Sequence, residues 1–163
     1  MVYIYFDYNA QKIQTSVNIL TNLIKQLSQS DISPELEALY DQSMRDHIRP
    51  DENTLRQLLT SCSQKFSSVC AVFDALDECS ESYQKEMLDL FTHLQNSAYR
   101  LLISFRPHLY ELRDQLESAQ TLEISAKDSD LREYITKRLE SKRNRSAHLK
   151  ERCLELAKNV KGM

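Results

Sequence analysis

The chain has 163 residues, of which 41% are hydrophobic and 28% charged, and a formal net charge of -3. These values suit one globular domain with a real core and exclude the disordered and collagen-like classes. The charge offers no global basic field for nucleic acid, and no apolar run approaches membrane-spanning length.

Met1 to Phe6 is β-branched and aromatic and stops at Asp7-Tyr8-Asn9, so it reads as a strand that begins with almost no lead-in. Thr15 or Ser16 can cap a helix in which Leu20, Leu23, Ile24 and Leu27 recur at helical spacing. Ser33-Pro34-Glu35 supplies an N-cap, a proline at the first helical position and an early acid. A helix to about His47 follows, with Leu36, Leu39, Tyr40 and Met44 on one face. Asp51 can cap a third helix with the stripe Leu55, Leu58, Leu59, Cys62 and Phe66.

Val69 to Phe73 is a continuous apolar run ending in Asp74, with Asp77 and Glu78 three and four residues on. Such a run suits a strand buried on both faces of a parallel sheet, delivering carboxylates to the sheet edge where α/β folds gather their ligands. Ser80 or Ser82 caps the next helix, with Tyr83, Met87, Leu90, Phe91 and Leu94 inward. Tyr99 to Ser104 is the third strand, and Phe105-Arg106-Pro107 ends it. A short helix is expected near Leu109 to Gln115, a fourth strand over Gln120 to Ile124, and a helix capped by Asp128 or Ser129 carrying Leu131, Tyr134, Ile135 and Leu139. Lys142-Arg143-Asn144-Arg145 precedes a last helix with Leu149, Cys153, Leu156 and Val160 in register. That basic cluster reads as a solvated face, because no aromatic residues interleave it to stack bases.

Alternation of strands and helices makes the chain α/β and helix-rich, with a helical C-terminal extension. No N-terminal secretory signal is read, so a cytoplasmic location is expected. Cys62, Cys70, Cys79 and Cys153 lack ligand-like spacing with one another or with the four histidines, so free thiols are expected rather than zinc. Gly162 is the only glycine, so the chain has no glycine-rich loop with a following lysine to cradle phosphates.

The segments "VYIYFDY", "ILTNLIKQL", "VFDALDEC", "ISFRP" and "DLREYI" occur in an order that resembles the NACHT domain of fungal STAND P-loop NTPases. The likeness is to the type associated with ankyrin or WD repeats, with a nephrocystin-3-like N-terminal domain, lacking the Walker A part. The resemblance implies a partial three-layer P-loop NTPase-type domain over residues 1–140, with a mostly parallel sheet of about four strands. Residues 141–163 would form a basic linker and helical extension. It implies that "VFDALDEC" is a Walker B segment in which Asp74 positions Mg2+, while Asp77 or Glu78 polarises the attacking water. Arg106 would be the sensor of the γ-phosphate, with Phe105 standing where the family usually has Ser.

In full-length members Mg2+ and ATP or GTP would be the cofactors, and other protein domains or a self-oligomer the partners, with neither nucleic acid nor membrane involved. The resemblance starts just after the family's Walker A helix. The chain is therefore expected to be a fragment of a signalling NTPase, inactive alone and binding no cofactor. The alternative is a non-catalytic α/β interaction module derived from that fold. A complete enzyme using the three acids on another substrate lacks a nameable nucleophile and base pair. With the central strand absent, three strands are expected to pair in chain order, and Gln120 to Ile124 to pair directly with the sensor strand.

Overall fold

The computed structural model describes residues 1–97, 99–106, 116, 119–125, 127–140 and 152. The expected helix near 109–115 and the last helix, with Leu149, Leu156 and Val160, lie outside the described residues. So does the basic cluster at 142–145. The chain divides into two compact units, residues 1–110 and 111–163.

The first unit is α/β. Three strands, β1 (Val2–Tyr5), β2 (Val69–Asp74) and β3 (Tyr99–Ile103), form one parallel sheet in the order β1-β2-β3. The register sets Val2 beside Ala71 and Ile4 beside Phe73, then Ala71 beside Leu101 and Phe73 beside Ile103. Between β1 and β2 run α1 (Ser16–Leu27), α2 (Pro34–Asp46) and α3 (Glu52–Ser63); α4 (Glu81–Asn96) connects β2 to β3.

Each of the first three helices starts where the sequence puts a cap. Thr15 Oγ1 accepts from Asn18 N–H, Ser33 Oγ from Leu36 N–H, and Asp51 Oδ1 from Thr54 N–H. Helix α4 starts after Ser80, whose hydroxyl pairs with that of Ser82 at 2.8 Å instead of capping the backbone.

Strands in sequential order place both crossovers on one face, because parallel β-strand connections are right-handed in nearly all cases. The core accordingly lies on a single side of the sheet. Val2, Ile4, Val69, Ala71, Phe73 and Tyr99 meet Leu20, Leu23, Leu59, Met87, Leu90, Phe91 and Leu94, all buried. The rings of Phe73 and Phe91 cross edge to face at 4.7 Å, an arrangement that adds to simple burial. The alternate residues form the other face, where Tyr3, Tyr5 and Leu102 are exposed and Cys70 and Val72 half-buried. In this unit two of the expected three layers are therefore described.

Helix α2 buries none of its residues, and Tyr40 and Met44 stand exposed despite their apolar spacing. Phe66, expected on the α3 stripe, lies beyond the end of that helix and is 43% exposed. Cys62 and Cys79 are buried free thiols, and Cys70 is a half-buried one.

In the second unit, α5 (Asp128–Glu140) occupies the expected helical segment, with Leu131 and Ile135 half-buried and Tyr134 exposed. A Lys137–Glu133 ion pair one turn apart lies on its surface. Residues 120–125 are not a strand, and Leu122 and Ile124 are more than four-fifths exposed, so the fourth strand expected over Gln120 to Ile124 is not present. A parallel strand derives its stability from cover on both faces. Side chains as exposed as Leu122 and Ile124 bury too little to offset the ~1–2 kcal/mol per residue needed to order the backbone. Among the described residues, no helix is long and apolar enough to cross a membrane.

Candidate acidic site at the sheet edge

Because the strands are parallel, their C-terminal ends share one edge, and Asp7, Asp74, Ser104 and Arg106 arrive there together. After Asp74 the chain turns sharply. Ala75 takes φ 57° and ψ 47°, and residues Leu76–Glu78 form a 3-10 turn with Leu76 wholly buried beneath it. The turn is tied to β3: Leu76 N–H donates to the Ser104 carbonyl at 2.9 Å, and Ala75 N–H to Ser104 Oγ at 3.0 Å. Ser104 Oγ in turn donates to Asp74 Oδ1.

That turn aims Asp77 and Glu78 at the segment following β3. Arg106 N–H donates to Asp77 Oδ1 at 3.2 Å, and its guanidinium Nε lies 3.4 Å from Asp77 Oδ2. The Arg106 Nη2 to Glu78 Oε1 distance is 3.8 Å. Side-chain exposure is 6% for Asp77, 26% for Glu78 and 57% for Arg106, so a nearly buried acid anchors a largely solvated arginine. The segment following β1 closes the far side: Tyr8 N–H donates to Glu78 Oε2 at 3.1 Å, and Gln11 Nε2 to the Glu78 carbonyl at 2.8 Å. Asp7 is used locally, its Oδ1 accepting from Asn9 N–H at 2.8 Å.

All four residues singled out in the sequence, Asp74, Asp77, Glu78 and Arg106, meet at this edge, but they split into two groups. Asp74 pairs with Ser104, whereas Asp77 and Glu78 share Arg106. Ser104 itself was missed. No motif in the sequence singles out this hydroxyl, which the parallel pairing of β2 and β3 sets beside the acid.

Among the described residues, no three His, Cys, Asp or Glu side chains converge to cage a metal ion. One exposed carboxylate with a neighbouring hydroxyl fits Mg2+ in its usual mode, held mainly by water and by the phosphates of a ligand. The sequence has a single glycine, Gly162, and so contains no glycine-rich loop of the kind that cradles phosphates.

No curated protein matches the chain. A family model described as "Nephrocystin 3, N-terminal" matches residues 1–106, which include the whole sheet and every residue of this acidic edge. The chain therefore belongs to the Nephrocystin 3, N-terminal family.

Proposed function

We propose that this domain is the hydrolysing and sensing part of a cytoplasmic NACHT-type signalling NTPase of the STAND kind, inactive as the chain stands. The observation that carries this reading is the Arg106 guanidinium held against Asp77 and Glu78 across adjacent parallel strand ends, next to the exposed Asp74. A magnesium nucleotide, when bound, supplies the reacting phosphoryl group and the charge that the metal neutralises.

In this reading Asp74 would help hold Mg2+, and Ser104 fixes the rotamer of its carboxylate. Glu78 is the better candidate for polarising the attacking water, being the more exposed of the two remaining acids. Asp77, with both oxygens engaged by Arg106, positions the arginine. The ligand would be ATP or GTP, and the phosphate cradle has to be provided by residues other than these.

The test uses a longer chain carrying a Gly-x-x-x-x-Gly-Lys-Ser/Thr loop ahead of β1. Glu78→Gln is expected to lower hydrolysis about 100-fold while nucleotide affinity changes less than about threefold. Equal losses in both would remove the catalytic reading and leave a structural one.

A second reading, a non-catalytic α/β interaction module derived from the same fold, is favoured by the open sheet face at Tyr3, Tyr5 and Leu102. On that reading, Glu78→Gln leaves every measured activity of the longer chain unchanged.

A further inference from the structure

Among the described residues β1 is an edge strand, and the outward N–H and carbonyl of Tyr3 and the outward carbonyl of Tyr5 are already occupied. Phe6 N–H donates inward to the Asp74 carbonyl at 3.0 Å, so the odd-numbered residues of β1 turn their amides and carbonyls away from the sheet. Two glutamine side chains take those groups up. Gln26, on α1, accepts from Tyr3 N–H at 2.9 Å and donates to the Tyr3 carbonyl at 2.7 Å. Gln14, just before α1, accepts from Asp7 N–H at 3.1 Å and donates to the Tyr5 carbonyl at 2.9 Å. A primary amide carries the same donor and acceptor as a peptide unit, so the two side chains stand in for a neighbouring strand. Asn22 Oδ1 accepts a second hydrogen bond from Gln26 Nε2 at 2.8 Å and steadies it.

The usual deterrents to edge pairing are missing, since Met1 to Phe6 contains neither a charged residue nor a proline. Beside the edge runs a cleft of about 850 Å³, lined by Tyr3, Tyr5, Ile13, Asn18, Asn22 and Lys25 among others. At roughly 3.3 Å rise, 4.8 Å strand spacing and 10 Å layer spacing, that volume accommodates about five residues of extended chain. β1 itself has four.

We propose that Gln14 and Gln26 form a latch that closes the β1 edge, and that the strand it excludes is β1 of a second copy of this chain. Two β1 strands paired antiparallel about a twofold axis are self-complementary, so opening the latch creates a closed dimer and not a fibre. The inference concerns the edge opposite β3 and is independent of any nucleotide chemistry.

The test compares the full chain with its Gln14→Ala/Gln26→Ala variant by light scattering and by amide hydrogen exchange across a concentration series. In the wild type the Tyr3 amide is protected to the same degree at every concentration. In the variant it exchanges freely when dilute and regains protection, by about tenfold or more, as the mass rises toward that of two chains. Adding Tyr5→Pro blocks the incoming strand without removing an inward ladder bond, and is expected to abolish both changes. Gln14→Leu/Gln26→Leu, which keeps the side-chain bulk at both positions, carries the same expectation if the alanine pair does not fold. Unchanged mass with fast Tyr3 exchange at all concentrations overturns the proposal, as does a dimer that Tyr5→Pro does not affect.

Discussion

At Ala75 the backbone is left-handed, a conformation that costs a residue bearing a Cβ about 1–2 kcal/mol. It persists because both sides of the residue are tied down: its N–H reaches Ser104 Oγ, and its carbonyl accepts from Glu78 N–H at 2.9 Å. Strain stored at this point turns the chain so that Asp77 and Glu78 face Arg106. Ala75→Gly is expected to raise stability by about 0.5–1 kcal/mol, the relief of the Cβ clash being partly offset by a more flexible unfolded chain. Ala75→Val is expected to lower it by more than about 1 kcal/mol, and urea unfolding of the two variants reads both values. That Asp74, Asp77 and Glu78 lie at the C-terminal end of a strand could be read from the apolar run before them, whereas Arg106 was singled out only by the resemblance that "ISFRP" carries. Gln14 and Gln26 were not, since a side-chain amide bound to a strand edge leaves no periodic signal.

Among the elements, α1 and α3 are joined by one carboxylate. Glu52, in the first turn of α3, accepts from Ser16 Oγ at the start of α1 at 2.8 Å and from Arg56 Nη2 at 2.6 Å. Burial alone would raise the Glu52 carboxyl, but hydrogen bonds from Arg56 and Ser16 and the Arg56 charge outweigh it and hold the pKa below 4.5. A lowered folded-state value means that the carboxylate stabilises the fold in full above pH 4.5, and that this contribution is lost as pH falls through the folded-state pKa. Glu52→Gln is expected to cost about 1 kcal/mol at neutral pH. The gap to wild type should close in acid, and thermal or urea unfolding from pH 7 down to pH 3 reads it; a gap that stays constant would show that the charge is irrelevant. The capping residues of α1 and α3, and their buried stripes as far as Leu27 and Cys62, could be read directly, because polar caps and 3.6-residue spacing are local properties. Tyr40 and Met44 of α2 could not, since spacing gives a face but not what lies opposite it. Gln120 to Ile124 could not either: alternating apolar residues describe a strand only where they are buried, and Leu122 and Ile124 are exposed.

At the scale of the molecule, the chain-order sheet is what places the acids and the arginine on one edge. That order was expected from the resemblance to the nucleotide-binding fold; handedness alone does not fix it, since a right-handed crossover steps either way according to the face its helix covers. Among the described residues of the first unit, the order also leaves the face of Tyr3, Val72 and Leu102 without a helix over it. The family match over residues 1–106 stops at the arginine and leaves the second unit outside it. The central claim, that this edge is the metal and sensor side of a nucleotide switch that needs a separate phosphate cradle, is tested most directly by titration calorimetry with Mg-ATP and Mg-GTP. Two chains are compared: residues 1–163 alone, and a longer chain with a glycine-rich, lysine-bearing loop ahead of β1. No heat of binding is expected from the first. The second should bind at least one of the two nucleotides, with affinity lowered by Asp74→Asn. Micromolar binding by residues 1–163 alone, or binding by the longer chain that Asp74→Asn leaves untouched, would contradict the account.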